Sequence, residues 1–239
     1  MPNDYFQFQQ FRIDQGACAQ KVSTDACLLG AVADLGGATR ILDLGTGTGL
    51  LALMAAQRAP VATIEAIEID PAAAAQAAAN VAASPWAGRI RVHPLSLADY
   101  AATRPGLFSH IICNPPFFRR SLAPPDAARA TARHAGAGSL TFGDIISFAG
   151  AHLGPGGALT VLLPPPEMQQ FAQEAAAAGL PGRARLVVQH RPDGRATRCI
   201  SEFGREGVTV RESSLVIQAD DGRYSAAFRA LLGGFYLAL

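Results

Sequence analysis

The sequence predicts an α/β fold in which a mostly parallel sheet carries helices on both faces. Two observations carry this reading. From Arg40 onward, short apolar runs alternate with helix-length segments, the order expected when parallel strands are joined by crossover helices. The first of those runs also ends in a glycine-rich turn that leads into a segment of helical period. Ile41-Leu42-Asp43-Leu44 reads as the first buried strand, and Leu50, Leu51, Leu53 and Met54 then recur on one helix face. A second strand is expected from Val61 to Ile69. Asp70-Pro71 follows as a helix N-cap with proline at the first helical position, so the Ala-rich stretch to Ala83 reads as a helix. Arg89–His93 and Phe108–Cys113 are the third and fourth strands. Thr141–His152 is helical, Ala158–Leu163 is the fifth strand, and a further Ala-rich helix stops at Gly179. Strands near Arg185–Gln189, Arg198–Phe203 and Ser214–Gln218 precede a C-terminal helix from Tyr224. Phe118–Gly138 and Arg191–Thr197 take no regular assignment and read as functional loops.

At 239 residues, with 49% hydrophobic and 16% charged residues, the chain suits one domain, 1–239, rather than two. The net charge of +1 excludes neither a metabolite nor a nucleic acid. Lys21 is the sole lysine and every other basic side chain apart from histidine is arginine, a bias that fits planar phosphate contacts and equally a GC-rich genome. Cys18, Cys27, Cys113 and Cys199 are widely spaced and read as reduced thiols in or near the core, as in cytoplasmic proteins. The sequence has neither a membrane-length apolar run nor a signal peptide. Its histidines and cysteines lack ligand spacing, so no metal is expected.

Leu42-Asp43-Leu44-Gly45-Thr46-Gly47-Thr48-Gly49 lies where strand becomes helix, a place where glycines admit a ligand close to the backbone. A Gly-x-Gly-x-Gly pattern alone also fits nicotinamide and flavin proteins. Asp43 stands two residues before the first glycine, where it can hold the loop or meet a cationic amino group. Glu68 ends the next strand, suited to accepting from ribose hydroxyls. Asp-x-Gly-x-Gly followed by such an acid resembles the signature of class I methyltransferases.

Directly after the fourth strand comes Asn114-Pro115-Pro116-Phe117. Ligands of open parallel sheets lie outside the carboxyl ends of the strands, so this tetrapeptide and the glycine loop are expected to flank one crevice. An aryl amine or amide nitrogen is a poor nucleophile because its lone pair is delocalised. It needs acceptors that draw off positive charge as a methyl group arrives. Asn114 offers a side-chain carbonyl and Pro115 a restricted backbone carbonyl. Phe117 offers a face for a flat base, worth about 1–3 kcal/mol. No general base is required, and positioning with electrostatics is expected to supply the rate.

The two motifs together resemble the Asn-Pro-Pro-Tyr/Phe amino-methyltransferases of adenine N6, guanine N2 and protein glutamine. Beyond them, the chain resembles the bacterial tRNA(Val) adenine-N6 methyltransferases. The likeness runs through Phe6, Phe8, Gln10-Phe11, Ile13, Lys21-Val22, Thr24-Asp25, Leu28-Leu29-Gly30-Ala31, Asn80-Val81, Ser84-Pro85-Trp86, Tyr224-Ser225 and Phe235-Tyr236. The resemblance implies a Rossmann-like class I fold with a seven-stranded sheet, and S-adenosyl-L-methionine as methyl donor, leaving S-adenosyl-L-homocysteine. It also implies residues 1–39 as a segment covering the cofactor site, with Lys21 and Thr24 over the methionine part. Asp43, Gly45, Thr46, Gly47, Glu68, Ile69, Ser96, Leu97 and Asn114 would complete the cofactor contacts. Asn114, Pro115, Pro116 and Phe117 would grip the target adenine of a single-stranded tRNA loop. Ser96-Leu97 stands where the family usually has an acid, with Asp99 as the alternative acceptor.

Arg119, Arg120, Arg129 and Arg133 are expected to hold substrate RNA. Both this group and the seven arginines between Arg183 and Arg211 are expected at the crevice rim; a solvated arginine face is the alternative. His134, next to Arg133, is placed to contact RNA, but a structural or solvent role is the better reading of a lone histidine. A monomer is expected. Readings left open are the same transfer to a ribosomal RNA base or a protein glutamine, a non-catalytic binding module, and a dehydrogenase.

Overall fold

A computed structural model describes residues 4–18, 20–115, 140–206 and 209–239. A short antiparallel hairpin, β1 (Tyr5–Gln7) and β2 (Arg12–Asp14), leads into α1 (Thr24–Val32). The alternating body follows as β3 (Arg40–Leu44), α2 (Leu50–Arg58), β4 (Thr63–Ile67), α3 (Pro71–Ala82), β5 (Ile90–His93), α4 (Leu97–Ala102) and β6 (Phe108–Cys113). Beyond it lie α5 (Phe142–His152), β7 (Leu153–Leu163), α6 (Pro165–Ala177), β8 (Gly182–Gln189), β9 (Ala196–Phe203), β10 (Arg211–Val216) and α7 (Ala226–Leu232). The sheet order is β10-β8-β9-β7-β6-β3-β4-β5, with β9 antiparallel to both its neighbours and every other pair parallel.

The sheet therefore has eight strands where seven are expected: β10 adds to the outer edge of β8 in parallel register, Arg211 against Ala184 to Val216 against Gln189. The second strand is shorter than its apolar run, because Pro60 and Val61 belong to the preceding turn. Of the Arg191–Thr197 stretch, Arg191 to Arg195 lie in a tight connection from β8 while Ala196 and Thr197 open β9; Phe118–Gly138 falls outside the described residues. Two helices are additional to the expected pattern. In α1, Cys27 to Ala31 are all buried in succession, so it has no polar face from which to read a period. The six-residue α4 is too short to show one.

Side chains alternate across the strands and divide the core in two. Ile41, Ile64, Ile112, Leu162 and Ile200 face α1, α2 and α7, while Leu42, Leu44, Ile111, Val161 and Leu163 face α4, α5 and α6. Each fully buried side chain of this kind contributes about 1.5–3 kcal/mol. Arginines close helix ends inside this framework. Arg58 donates to the carbonyls of Gly30 and Ala33, and Arg89 to those of Ala56, Ala59 and Ala62, supplying partners that the last turn of a helix lacks. The four cysteines are free and buried. No described helix is long and apolar enough to cross a membrane.

The N-terminal hairpin is tied to the body by Asn80, which is 3% exposed. Its amide oxygen accepts from the Asp14 N–H at 2.9 Å, and its amide nitrogen donates to the carbonyls of Asp14 (2.8 Å) and Thr48 (2.9 Å). One side chain thus joins β2 to the glycine loop. Replacing Asn80 by Ala strands buried backbone groups at both, each costing about 1–3 kcal/mol. The expected result for Asn80→Ala is a loss of about 3 kcal/mol of unfolding free energy in urea titration; a loss below about 0.5 kcal/mol would show that water replaces the amide without cost.

Candidate active site

The sheet register builds the crevice. Leu44 of β3 lies opposite Cys113 of β6, so Gly45 and Asn114, the next residue of each strand, leave the sheet side by side at its carboxyl end. The glycine loop and the tetrapeptide, 69 residues apart, meet because those two strands are neighbours.

The loop is held from beneath. Asp43 is fully buried; its Oδ2 accepts from the Thr46 hydroxyl at 2.5 Å and from the Ala52 N–H at 3.0 Å. Helix α2 starts at Gly49 with no side-chain cap of its own, so this carboxylate from the strand performs the capping and places an acid at the positive end of the helix. Burial pushes the Asp43 carboxyl up to about 7, against the lowering effect of the Thr46 and Ala52 hydrogen bonds and with a small further rise from Glu68. Of the two roles open to Asp43, holding the loop is the one its contacts display. Its other oxygen, Oδ1, is buried and has no partner among the described residues.

Gly45 and Gly47 sit at φ +74° and +55°, and among the described residues no atom other than those of chain neighbours lies within 4 Å of where a Cβ would stand. A side chain there would strain the backbone and fill the space above the loop. The Gly45 and Thr46 N–H groups donate to the Ile67 carbonyl, Gly47 N–H to Glu68 Oε2 at 2.9 Å, and Gly49 N–H to Thr46. With those donors engaged internally, the loop is not arranged to cradle a pyrophosphate, which needs free N–H groups. This weighs against the dehydrogenase reading. Glu68 also accepts from the Asp70 N–H through Oε1; each carboxylate oxygen keeps a lone pair for a hydroxyl donor.

On the Asn114 side of the crevice lies a cavity of about 200 Å³ lined, among the described residues, by Gln20, Lys21, Ser23, Asp25, Asn114 and Pro115. Asn114 Oδ1 is buried within the structure and has no partner among the described residues. A buried carbonyl oxygen without a partner is costly, so this oxygen is available to a donor. The described residues on either side of position 19 make contacts with the body. Gln15 Oε1 accepts from the Val22 N–H, and Ala17 N–H donates to Gln76 of α3. Cys18 lies near Glu68 and Asp70; burial and those two charges raise its thiol pKa. Lys21 is thereby brought to Asn114, while Thr24 begins α1 after the Ser23 cap.

Sequence reasoning had no role for Gln20, Ser23 or Asp25; Asp25 belongs to the Lys21-to-Asp25 motif but carried no assignment. Ile69 is 48% exposed beside Glu68, suited to a flat apolar contact. Ser96 caps α4: it accepts from the Asp99 N–H and donates to Asp99 Oδ2 at 2.6 Å. The serine and its fallback acid are thus one hydrogen-bonded unit, with Leu97 partly buried between them. Pro116, Phe117, Arg119, Arg120, Arg129, Arg133 and His134 fall outside the described residues. Among the described residues no group of three or more His, Cys, Asp or Glu side chains is arranged to hold a metal.

The arginines from Arg183 to Arg211 do not all lie at the rim. Strand β8 runs parallel to β10 and antiparallel to β9, so Arg191, Arg195 and Arg198 stand at the carboxyl end with Asn114. Arg183, Arg185, Arg205 and Arg211 lie towards the other end. Three of those are engaged there: Arg183 with Glu202 and the carbonyls of Glu206 and Gly156, Arg185 with Glu212, Arg205 with the Gly150 carbonyl. Strand direction, which composition does not reveal, separates the two sets.

The methyltransferase small domain family matches residues 18–170. A tRNA1(Val) (adenine(37)-N6)-methyltransferase of Pseudoalteromonas translucida is 39% identical, over 98% of this chain and 99% of that protein. Its counterpart in Dyadobacter fermentans is 41% identical over 98% of each. Among solved structures, a predicted O-methyltransferase from Agrobacterium tumefaciens superposes with a TM-score of 0.68 at 22% identity, over 88% of this chain and 96% of that one, a likeness of fold.

The buried carboxyl generates a pH prediction. An aspartate in an unfolded chain titrates near 4, and Asp43 in the folded chain at about 7. Between these values the folded state binds the proton more tightly, so this group's contribution is full below about pH 4, falls as pH rises to about 7 and is level above it. Urea unfolding across that range should show this decline in the wild type and lose it in Asp43→Asn. An unchanged slope in the variant would place the titration elsewhere.

Proposed function

This chain belongs to the methyltransferase small domain family and, within it, to the tRNA1(Val) adenine-N6-methyltransferases, and on that footing we propose that it transfers a methyl group from S-adenosylmethionine to the exocyclic N6 amine of an anticodon-loop adenine in tRNA. The observation that carries the reading is the buried Asn114 Oδ1, without a partner among the described residues, beside Pro115 at the mouth of β6 and next to the glycine loop.

When bound, S-adenosylmethionine supplies an electrophilic methyl group carried on a sulfonium. The residues present fit it. Open space above Gly45 and Gly47 admits the donor close to the backbone, and Glu68 accepts from ribose hydroxyls. Thr46 belongs to the same loop. Ile69 and Leu97 give the adenosine ring apolar faces, and the Ser96–Asp99 pair supplies acceptors for its amine. Lys21 and Thr24 would close over the methionine part, and Asp43 Oδ1, without a partner among the described residues, lies beneath the loop. At the other half of the crevice, Asn114 Oδ1 and the Pro115 carbonyl accept from the two N–H bonds of the target amine. They align its lone pair with the methyl group and disperse the positive charge that forms on nitrogen. Pro116 has no N–H to compete for that site, and Phe117 stacks on the base. A base extruded from a single-stranded loop enters such a pocket at low cost. Arg119, Arg120, Arg129 and Arg133 hold the flanking phosphates.

Asn114→Ala is expected to lower methyl transfer to tRNA by at least about 100-fold, while S-adenosylhomocysteine affinity by calorimetry stays within about threefold. Retained transfer in this variant would refute the assignment of the acceptor. Changing Arg119 and Arg120 together to Ala should weaken tRNA binding and lower the salt slope by about two; an unchanged slope would return both to a solvated face.

A further inference from the structure

The cavity beside Asn114 contains a charge that the tetrapeptide lacks. Asn114 and Pro115 offer only neutral carbonyls, yet the amine they hold becomes cationic during transfer. The lone pair of N6 forms the new N–C bond, the carbon–sulfur bond of the donor breaks toward sulfur, and nitrogen carries a positive charge until one of its protons leaves to water. Asp25 is the carboxylate lining that same cavity. It sits in the first turn of α1, where the helix end is already served: Ser23 Oγ accepts from the Ala26 N–H, and the Ser23 carbonyl from the Cys27 N–H. The Asp25 side chain reaches instead to β9, where Arg198 Nε donates to its Oδ2 at 2.6 Å, across 173 residues of sequence. Arg198 is itself oriented by donating to the Thr197 carbonyl at 2.6 Å. Asp25 Oδ1 has no hydrogen bond among the described residues, and it is not one of the buried unpaired atoms. Lys21 lines the cavity as well, and among the described residues it makes no ion pair.

We infer that Asp25, aligned by Arg198, is the charged wall of the amine pocket, stabilising the positive charge that develops on the target nitrogen; this rests on the N-methyl transfer proposed above. The Arg198–Asp25 pair is a fixed dipole with its negative end on the cavity. A preorganised dipole of that sense favours the transition state over the neutral ground state without reorganising during reaction.

The test is single-turnover methyl transfer to tRNA by Asp25→Asn, Arg198→Ala and the double variant, with S-adenosylhomocysteine affinity and thermal midpoint measured on each. Asp25→Asn preserves size and is expected to slow transfer by about 30-fold or more, with KM for tRNA and S-adenosylhomocysteine affinity within about threefold of wild type. The double variant should be no slower than Asp25→Asn alone, since coupled residues are not additive. A rate within threefold of wild type for Asp25→Asn would overturn the inference, as would a loss matched by equal losses in ligand affinity and thermal stability. Multiplying defects in the double variant would overturn the alignment by Arg198. Failure of the wild type to methylate tRNA would refute the functional reading itself, before any variant is compared.

Discussion

The parallel pairing of β3 with β6 is the constraint on which the site depends. Its register brings Leu44 opposite Cys113, so a glycine loop and an Asn-Pro turn encoded far apart emerge at one height on adjacent strands. In the proposed function each serves a different partner: the loop would admit the donor and the turn would accept from the amine. The proposed methyl transfer needs those two functions side by side, and adjacent strands place them so with little reliance on loop conformation. Buried apolar side chains on both faces hold the register, because a slip would expose them.

What the sheet cannot supply is a roof, and polar side chains build it. Asn80 ties the N-terminal hairpin to the glycine loop, Gln15 bridges to the Val22 N–H, and Arg198 holds Asp25. Gln15 and Asp25 are therefore both fixed, Gln15 to the Val22 N–H and Asp25 to β9. Asp43 plays the matching part below, serving as the cap that α2 lacks. Side chains of four separate segments thus converge on a crevice that the strands only outline.

The parts legible in the sequence are those whose signal is local. Continuous apolar runs marked the strands, Asp70-Pro71 marked the start of α3, and the strand-ending motifs marked the crevice, because each compresses its cause into a few residues. Helix α1 lacked a signal because burial on all sides erases the amphipathic period on which helix reading relies. The eighth strand was readable as a segment but not as a sheet member, since joining an edge is a tertiary event. Arg183 and Arg191 look like one cluster in sequence, yet they sit at opposite ends of a strand about 25 Å long. The pairing of Asp25 with Arg198 has no sequence signature, for contact at such separation follows only from topology. The likeness in family motifs pointed to Lys21 and Thr24, and the folded strap brings Lys21 to Asn114.

The most direct test of the central claim is methyl transfer from labelled S-adenosylmethionine to total tRNA from a strain deleted for this gene, followed by nucleoside analysis. The account predicts label in N6-methyladenosine, with little entering tRNA from a wild-type strain whose sites are already methylated. Label in another nucleoside, or none in tRNA while ribosomal RNA or a protein amide accepts it, would contradict the proposed substrate.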